Sequence, residues 1–179
     1  STEKKTSHFS DDLYQLSDHD VTSYYPFIIL NNNLYPQHLG PAFLHVFRSI
    51  VQRRLAAKNA AKEYGDKAKA ETDPTKKAEY EQLAKDSKRT ADSLKIVING
   101  TFGKLGSKWS IFYSPDLLIQ TTITGQLALL MMIETFELNG IQVISANTDG
   151  IVIKCPRSKT ATRDAILDAW QKQTNFELE

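Results

Sequence analysis

The chain has 179 residues, 41% of them hydrophobic and 24% charged, with 22 basic and 21 acidic side chains for a net charge of +1. This is globular usage with enough apolar residues for one domain or a small pair. The near-neutral balance makes no global case for a polyanionic partner, so any phosphate binding has to come from local placement. The single Cys155 excludes an internal disulfide and lies in an apolar, strand-like run, which suits a core position in a reducing, cytoplasmic setting. The longest apolar run, Leu127 to Ile133, is far short of the ~20 residues of a membrane span, and the polar N-terminus has no signal-peptide core, so no membrane association is expected. Ser1 to Ser10 carries no fold signal, and Glu179 closes a helical pattern that has no Gly or Pro stop. The chain therefore reads as a piece of a longer protein.

In chain order, Leu13, Leu16 and the acidic Asp18-His19-Asp20 read as a strand that ends in carboxylates, with Val21 tying Asp20 to a buried β element. Pro26 biases Tyr25 toward extended geometry. The stretch Asp20 to Pro26 can hold a metal at a rigid strand end, or it can be a plain strand-to-turn junction. Phe27 to Leu30 reads as a short buried helix or turn stopped by Asn31-Asn32-Asn33. Pro41 opens a helix that runs from Phe43 to about Lys69. Thr72-Asp73-Pro74-Thr75 breaks it, with Asp73 as N-cap and Pro74 as first helical residue of a second helix through Ile98.

These two helices form a hairpin. If they turn about Asp73 and Pro74, Lys95 stands level with Gln52, and Arg54 lies about two residues, roughly 3 Å, away along the axis. Arg54 and Lys58 share a face at i,i+4, as do Lys95 and Asn99, so the hairpin root can offer Arg54, Lys58, Lys95 and Asn99 to a triphosphate. Scattered cations on a solvated face are the alternative. Asn99 to Gly103 is expected to end the second helix, its glycines allowing close approach of a backbone or base or serving only as a helix stop. Lys108 to Tyr113 is a strand or a packed loop.

Ser114-Pro115-Asp116 then opens a helix reaching Leu138 and closed by Asn139-Gly140. Its Ile119, Ile123, Leu127, Leu130, Met131 and Glu134 trace one face, taken as core, and Gly125 suggests close packing. Ile141 to Ala146 and Ile151 to Cys155 form a β-hairpin around Asn147-Thr148-Asp149-Gly150. An Asp-Gly turn can equally carry no chemistry. Thr160 to Trp170 reads as a covering helix.

The order of these pieces resembles the family B DNA polymerases. Asp20 to Ile29 is similar to the family's motif A (D-x-x-S-L-Y-P-S-I-I), Lys95 to Gly103 to motif B (K-x-x-x-N-S-x-Y-G) and Asn147 to Gly150 to motif C (D-T-D-S/G). The resemblance runs from about Asp20 to Lys154, and its compact spacing is like that of phage, plasmid or other mobile-element polymerases, at work in a phage-infected or plasmid-bearing host cell. It implies an α+β fold, a palm with an antiparallel sheet interrupted by helical-hairpin fingers. Residues 1–42 would be the first part of the palm, 43–99 the fingers ending in motif B, and 100–179 the second part of the palm.

By the same resemblance Asp20 and Asp149 are the catalytic, metal-binding carboxylates, with the Val21 carbonyl a further ligand for Mg²⁺ or Mn²⁺. Arg54, Lys58 and Lys95, with main-chain N–H groups around Ser23 and Tyr24, would hold the dNTP triphosphate. Tyr25 would be the steric gate against a ribose 2′-OH, and Asn99, Thr101, Phe102 and Gly103 would line the nascent pair. Primer-template DNA and dNTP are the implied partners. Phe102 and Gly100 depart from the usual Tyr and Ser, and Asn147 replaces the first Asp of motif C, removing a charge near the metals. The family's exonuclease region and thumb have no counterpart here. Two other readings stay open: a weak or inactive polymerase-like module that binds primer-template DNA or a replication partner, and a structural helical-hairpin protein. The enzyme reading requires Asp20 and Asp149 to converge on one divalent site; the structural reading requires Arg54, Lys58 and Lys95 to point different ways.

Overall fold

In the computed structural model, which describes residues 7–179, the chain is α+β: five helices and one small antiparallel sheet. Strand β1 (Tyr14–Asp20) is followed by α1 (Tyr24–Asn31), the long pair α2 (Ala42–Ala70) and α3 (Pro74–Lys104), α4 (Pro115–Leu138), the hairpin β2 (Gln142–Ala146) and β3 (Gly150–Pro156), and α5 (Thr160–Thr174). The chain divides into two units. One runs to Asn31 and resumes from Gln120 to Glu179; the other is Asn32–Ile119, which extends beyond residues 43–99 on both sides.

The discontinuous unit is built on the sheet, in the order β1-β3-β2. Strand β3 is central, and its alternate residues Ile151, Ile153 and Cys155 are buried, as a period of two requires for a half-covered sheet. The antiparallel register sets Tyr14 opposite Pro156 and Asp20 opposite Gly150. On the β2 side the register slips between Val143 and Ser145, a bulge that bends the edge strand just before the turn.

Two sequence expectations need correction in this unit. First, the face of α4 carrying Ile119, Ile123, Leu127, Leu130 and Met131 is exposed, and the opposite stripe, with Thr121, Ala128, Leu129, Met132 and Phe136, is the buried one. The reason is visible at Gly125: a β-carbon there would stand 3.1 Å from Ile28 Cδ1 and 3.2 Å from Tyr24 Cε1, so small residues mark the side where α1 comes close. Among the described residues α4 is also long and apolar enough, by length and composition, to cross a membrane, with 33% of the stretch buried inside the protein. Second, the last residues are not helical. Asn175 takes the left-handed conformation at φ 55° that closes α5, and Glu177–Glu179 then runs extended beside the end of β1. Trp170 and Phe176 pack at 5.8 Å and Phe176 meets Tyr24 edge-on at 5.1 Å, while the Trp170 indole N–H donates to the Ala128 carbonyl at 2.8 Å.

The continuous unit is a helical hairpin. Asp73 Oδ1 accepts from the Thr75 N–H at 2.9 Å and Pro74 opens α3, as its sequence dictates. Tyr64 and Tyr80 stack across the helices at 6.4 Å, and Phe43, Phe47, Val51, Ala91 and Ile98 are buried. Helix α3 does not stop at Asn99: it continues through Gly100 and Gly103 to Lys104. Neither glycine meets anything within 4 Å of a would-be β-carbon, so at these positions the helix carries only their propensity cost, about 1 kcal/mol each.

Candidate active site

The pairing of β1 with β3 carries two acids that are far apart in sequence to one end of the sheet. Asp20 is the last residue of β1 and lies opposite Gly150, the neighbour of Asp149. The ladder continues one step further, because the Val21 N–H donates to the Asp149 carbonyl at 2.7 Å. A third strand-like segment closes the other side: Asp20 and Glu179 exchange backbone hydrogen bonds of 3.2 and 2.9 Å, and the Thr22 N–H donates to the Glu177 carbonyl at 2.8 Å. Val21 is thereby buried and fixed on both sides.

The carboxylate of Asp20 is held in an unfavourable place. Its Oδ1 is buried and accepts no hydrogen bond. It sits where Gly150 leaves room, since any β-carbon at Gly150 would collide with Oδ1. Burial, then the negative charges of Asp18, Asp149 and Glu179, raise its pKa above the ordinary aspartate value, and the Asn147 side chain pulls weakly the other way. An orphaned, crowded carboxylate is the arrangement a cation would relieve. Among the described residues no group of three or more His, Cys, Asp or Glu side chains is disposed to hold a metal ion. The chemistry of the oxygens suits Mg²⁺, which takes one or two protein carboxylates and leaves its other positions to water and phosphate: the buried Asp20 Oδ1 feels the charge of Asp149 from the adjoining turn.

Asn147 braces the turn. Its Oδ1 accepts from the Asp149 N–H at 3.0 Å and from the Gly150 N–H at 2.6 Å, and its own N–H donates to the Gly150 carbonyl at 3.0 Å. An aspartate could accept the same two bonds but would add a fourth negative charge around Asp20.

After Val21 the backbone turns sharply. Ser23 has a φ of 51°, a conformation that costs a non-glycine residue of the order of 1 kcal/mol and that starts α1 immediately behind the acids. The first-turn N–H groups of a helix lie at the positive end of its dipole, so residues 23–25 place main-chain donors beside Asp20. The Tyr24 side chain points the other way. It is buried, and its hydroxyl donates to the Gly125 carbonyl at 2.6 Å, so only the Tyr24 main chain is left for a ligand. Tyr25 is half-buried, stacks on Tyr24 at 6.1 Å, and has its pKa raised by burial and by the charge of Asp149. It lines a groove of about 540 Å³ with Leu129, Leu130, Ile133, Asn147 and Thr148.

The chain is distantly similar to DNA polymerases. It is 27% identical over 122 residues, 68% of its length, to the DNA polymerase epsilon catalytic chain of Yarrowia lipolytica, and 29% identical over 154 residues, 83% of its length, to DNA polymerase beta of African swine fever virus. It spans 6% and 12% of the lengths of these relatives. No protein-family model matches it.

The remaining sequence-predicted residues belong to the helical-hairpin unit. Arg54 is half-buried on α2, and Lys58 is exposed one turn further along. Lys95, Asn99 and Gly103 are exposed on α3, while Thr101 and Phe102 are half-buried; Thr101 spends its hydroxyl on the Val97 carbonyl at 2.9 Å. The acids that sequence reasoning missed are Asp18 and Glu179, both of which bear on the charge of Asp20. The signal for Glu179 was there: Phe176-Glu177-Leu178-Glu179 alternates apolar and acidic with the period of a strand.

Proposed function

We propose that this chain is the palm and fingers of a family B DNA-directed DNA polymerase, of the compact kind carried by phages, plasmids and mobile elements, and part of a longer enzyme whose exonuclease and thumb lie outside it. It would act in the cytoplasm on primer-template DNA and dNTPs. The observation that carries this reading is the meeting of Asp20 and Asp149 at one sheet end with Asp20 Oδ1 buried and unpartnered. Distant similarity to two DNA polymerases supports the reaction class.

On this reading Asp20, Asp149 and the Val21 carbonyl would hold Mg²⁺ or Mn²⁺, which would supply a lowered pKa for the primer 3′-hydroxyl and charge neutralisation for the phosphates. The 3′-oxygen bonds to the α-phosphorus, its proton leaves to solvent, and the bond to pyrophosphate breaks. The main-chain donors of residues 23–25, with Arg54, Lys58 and Lys95, orient the triphosphate. The Tyr25 ring closes the space a ribose 2′-OH would need, and Asn99, Thr101, Phe102 and Gly103 face the nascent pair.

The test uses the full-length polypeptide. Asp149→Asn should abolish nucleotide incorporation with folding intact, and substantial residual synthesis would sink the assignment. Tyr25→Ala should relax discrimination against ribonucleotides; unchanged sugar selectivity removes the gate. A second reading, a weak or inactive polymerase-like module that binds primer-template DNA or a replication partner, is favoured by Asn147, which stands where the family has the first Asp of motif C and so removes a negative charge beside Asp20 and Asp149. Titration with Mg²⁺ and Mn²⁺ separates the two, because a binding-only module has no carboxylate-dependent divalent site.

A further inference from the structure

The loop after α3 holds an aromatic side chain out in water on a rigid frame. Trp109 is 87% exposed, with Ile111 and Tyr113 beside it in sequence at 70% and 42%. Isolated exposed apolar residues need no explanation, but three on one short loop do. The loop is well tied down. The Ser114 N–H donates to the Leu105 carbonyl at 2.8 Å across its base, the Ser110 and Tyr113 N–H groups make turns of 2.9 and 3.0 Å, and His38 Nε2 bonds the Ile111 carbonyl at 2.6 Å. Its inward residues are Leu105, fully buried, and Phe112, which meets Phe43 edge-on at 6.1 Å. The same loop thus packs one half-buried aromatic ring inward and presents another.

The charge along that segment of the sequence is one-sided. No acidic residue occurs between Asp92 and Asp116, while Lys95, Lys104 and Lys108 fall there, and Lys108 Nζ lies 5.0 Å from the centre of the Trp109 ring. A pre-positioned indole with lysines and no carboxylate in the segment complements a base next to a phosphate.

We propose that the Lys104–Tyr113 loop binds single-stranded nucleic acid, one base stacking on Trp109 with the adjoining phosphates on Lys104 and Lys108. That the strand is the unpaired template rests on the polymerase reading; the contact itself does not.

The chain carries its own probe, because its other tryptophan, Trp170, is buried and hydrogen-bonded. Titrating oligodeoxythymidylate in a chelator, without divalent metal, should quench the exposed tryptophan saturably, and rising salt should reverse it. Blunt duplex of equal length should quench far less. Trp109→Ala should weaken binding of a labelled oligothymidylate by roughly 5- to 150-fold, the span of one base–aromatic stack, and joint replacement of Lys104 and Lys108 by Ala should flatten the salt dependence. No quenching, equal quenching by duplex, or quenching by anionic vesicles alone overturns the proposal. If Trp109→Ala fails to fold, the quenching of the unaltered chain still decides. Since the assay needs neither metal nor turnover, loss of incorporation in Asp149→Asn with Trp109 silent removes only the loop, and a responsive Trp109 beside a dispensable Asp149 removes only the polymerase.

Discussion

Replacing Asp20 with Asn should make the metal-free protein more stable at neutral pH. Asp20 Oδ1 is buried with no hydrogen-bond partner, and burial together with Asp18, Asp149 and Glu179 raises its pKa above the ordinary 3.8. A carboxyl with a raised folded-state pKa binds more protons folded than unfolded, so stability falls as pH climbs from the unfolded value through the folded one and stays lower above it. An unsatisfied buried polar group costs about 1–3 kcal/mol. Asp20 is only partly buried as a residue, so the low end applies, ~1 kcal/mol, or about 2–4 °C in Tm for a chain of this size. Asn has the same shape without the charge, so it removes the repulsion from Asp18, Asp149 and Glu179 and presents an amide N–H that these acids can accept, which should recover about that amount. Thermal melts followed by circular dichroism at pH 7 in chelator measure it, and the gain should vanish well below pH 3.8, where both side chains are neutral. Magnesium should then reverse the order: at 100 times its Kd it adds about 2.7 kcal/mol to the unaltered chain and little to Asp20→Asn. A less stable Asp20→Asn at pH 7, or equal response of the two to magnesium, refutes the reasoning.

Two further substitutions separate the roles around this site. Asn147→Asp keeps the acceptor that braces Asp149 and Gly150 but adds a charge beside Asp20, so the metal-free chain should lose on the order of 1 kcal/mol while divalent binding tightens; melts with and without Mn²⁺ report both. Tyr24→Phe removes the buried 2.6 Å bond to the Gly125 carbonyl and should cost about 1 kcal/mol in a denaturant melt. It should leave sugar discrimination by the full-length polypeptide untouched, in contrast to Tyr25→Ala, and a relaxed Tyr24→Phe would show that the wrong ring has been assigned.

Local chemistry made the helices legible in the sequence. Asp73 and Pro74 start α3, Asn139-Gly140 closes α4, and Asn147 to Gly150 turns one strand into the next, because caps and tight turns depend on neighbours within a few positions. The glycine at 125 foretold close packing, which Tyr24 and Ile28 supply. The buried face of α4 was not legible: apolar residues lie on both sides of that helix, so periodicity cannot choose, and the small stripe through Thr121, Gly125 and Ala128 decides only once α1 lies against it.

The site divides in the same way. Its residue types, an acid ending one strand and an acid in a turn, are written in the sequence. Their meeting depends on β1 pairing with β3 across 129 intervening residues in the one register that sets Asp20 opposite Gly150, and a slip of one position would send every side chain to the other face. Glu179 is drawn in by a pairing of the same non-local kind, which no window of neighbouring residues contains.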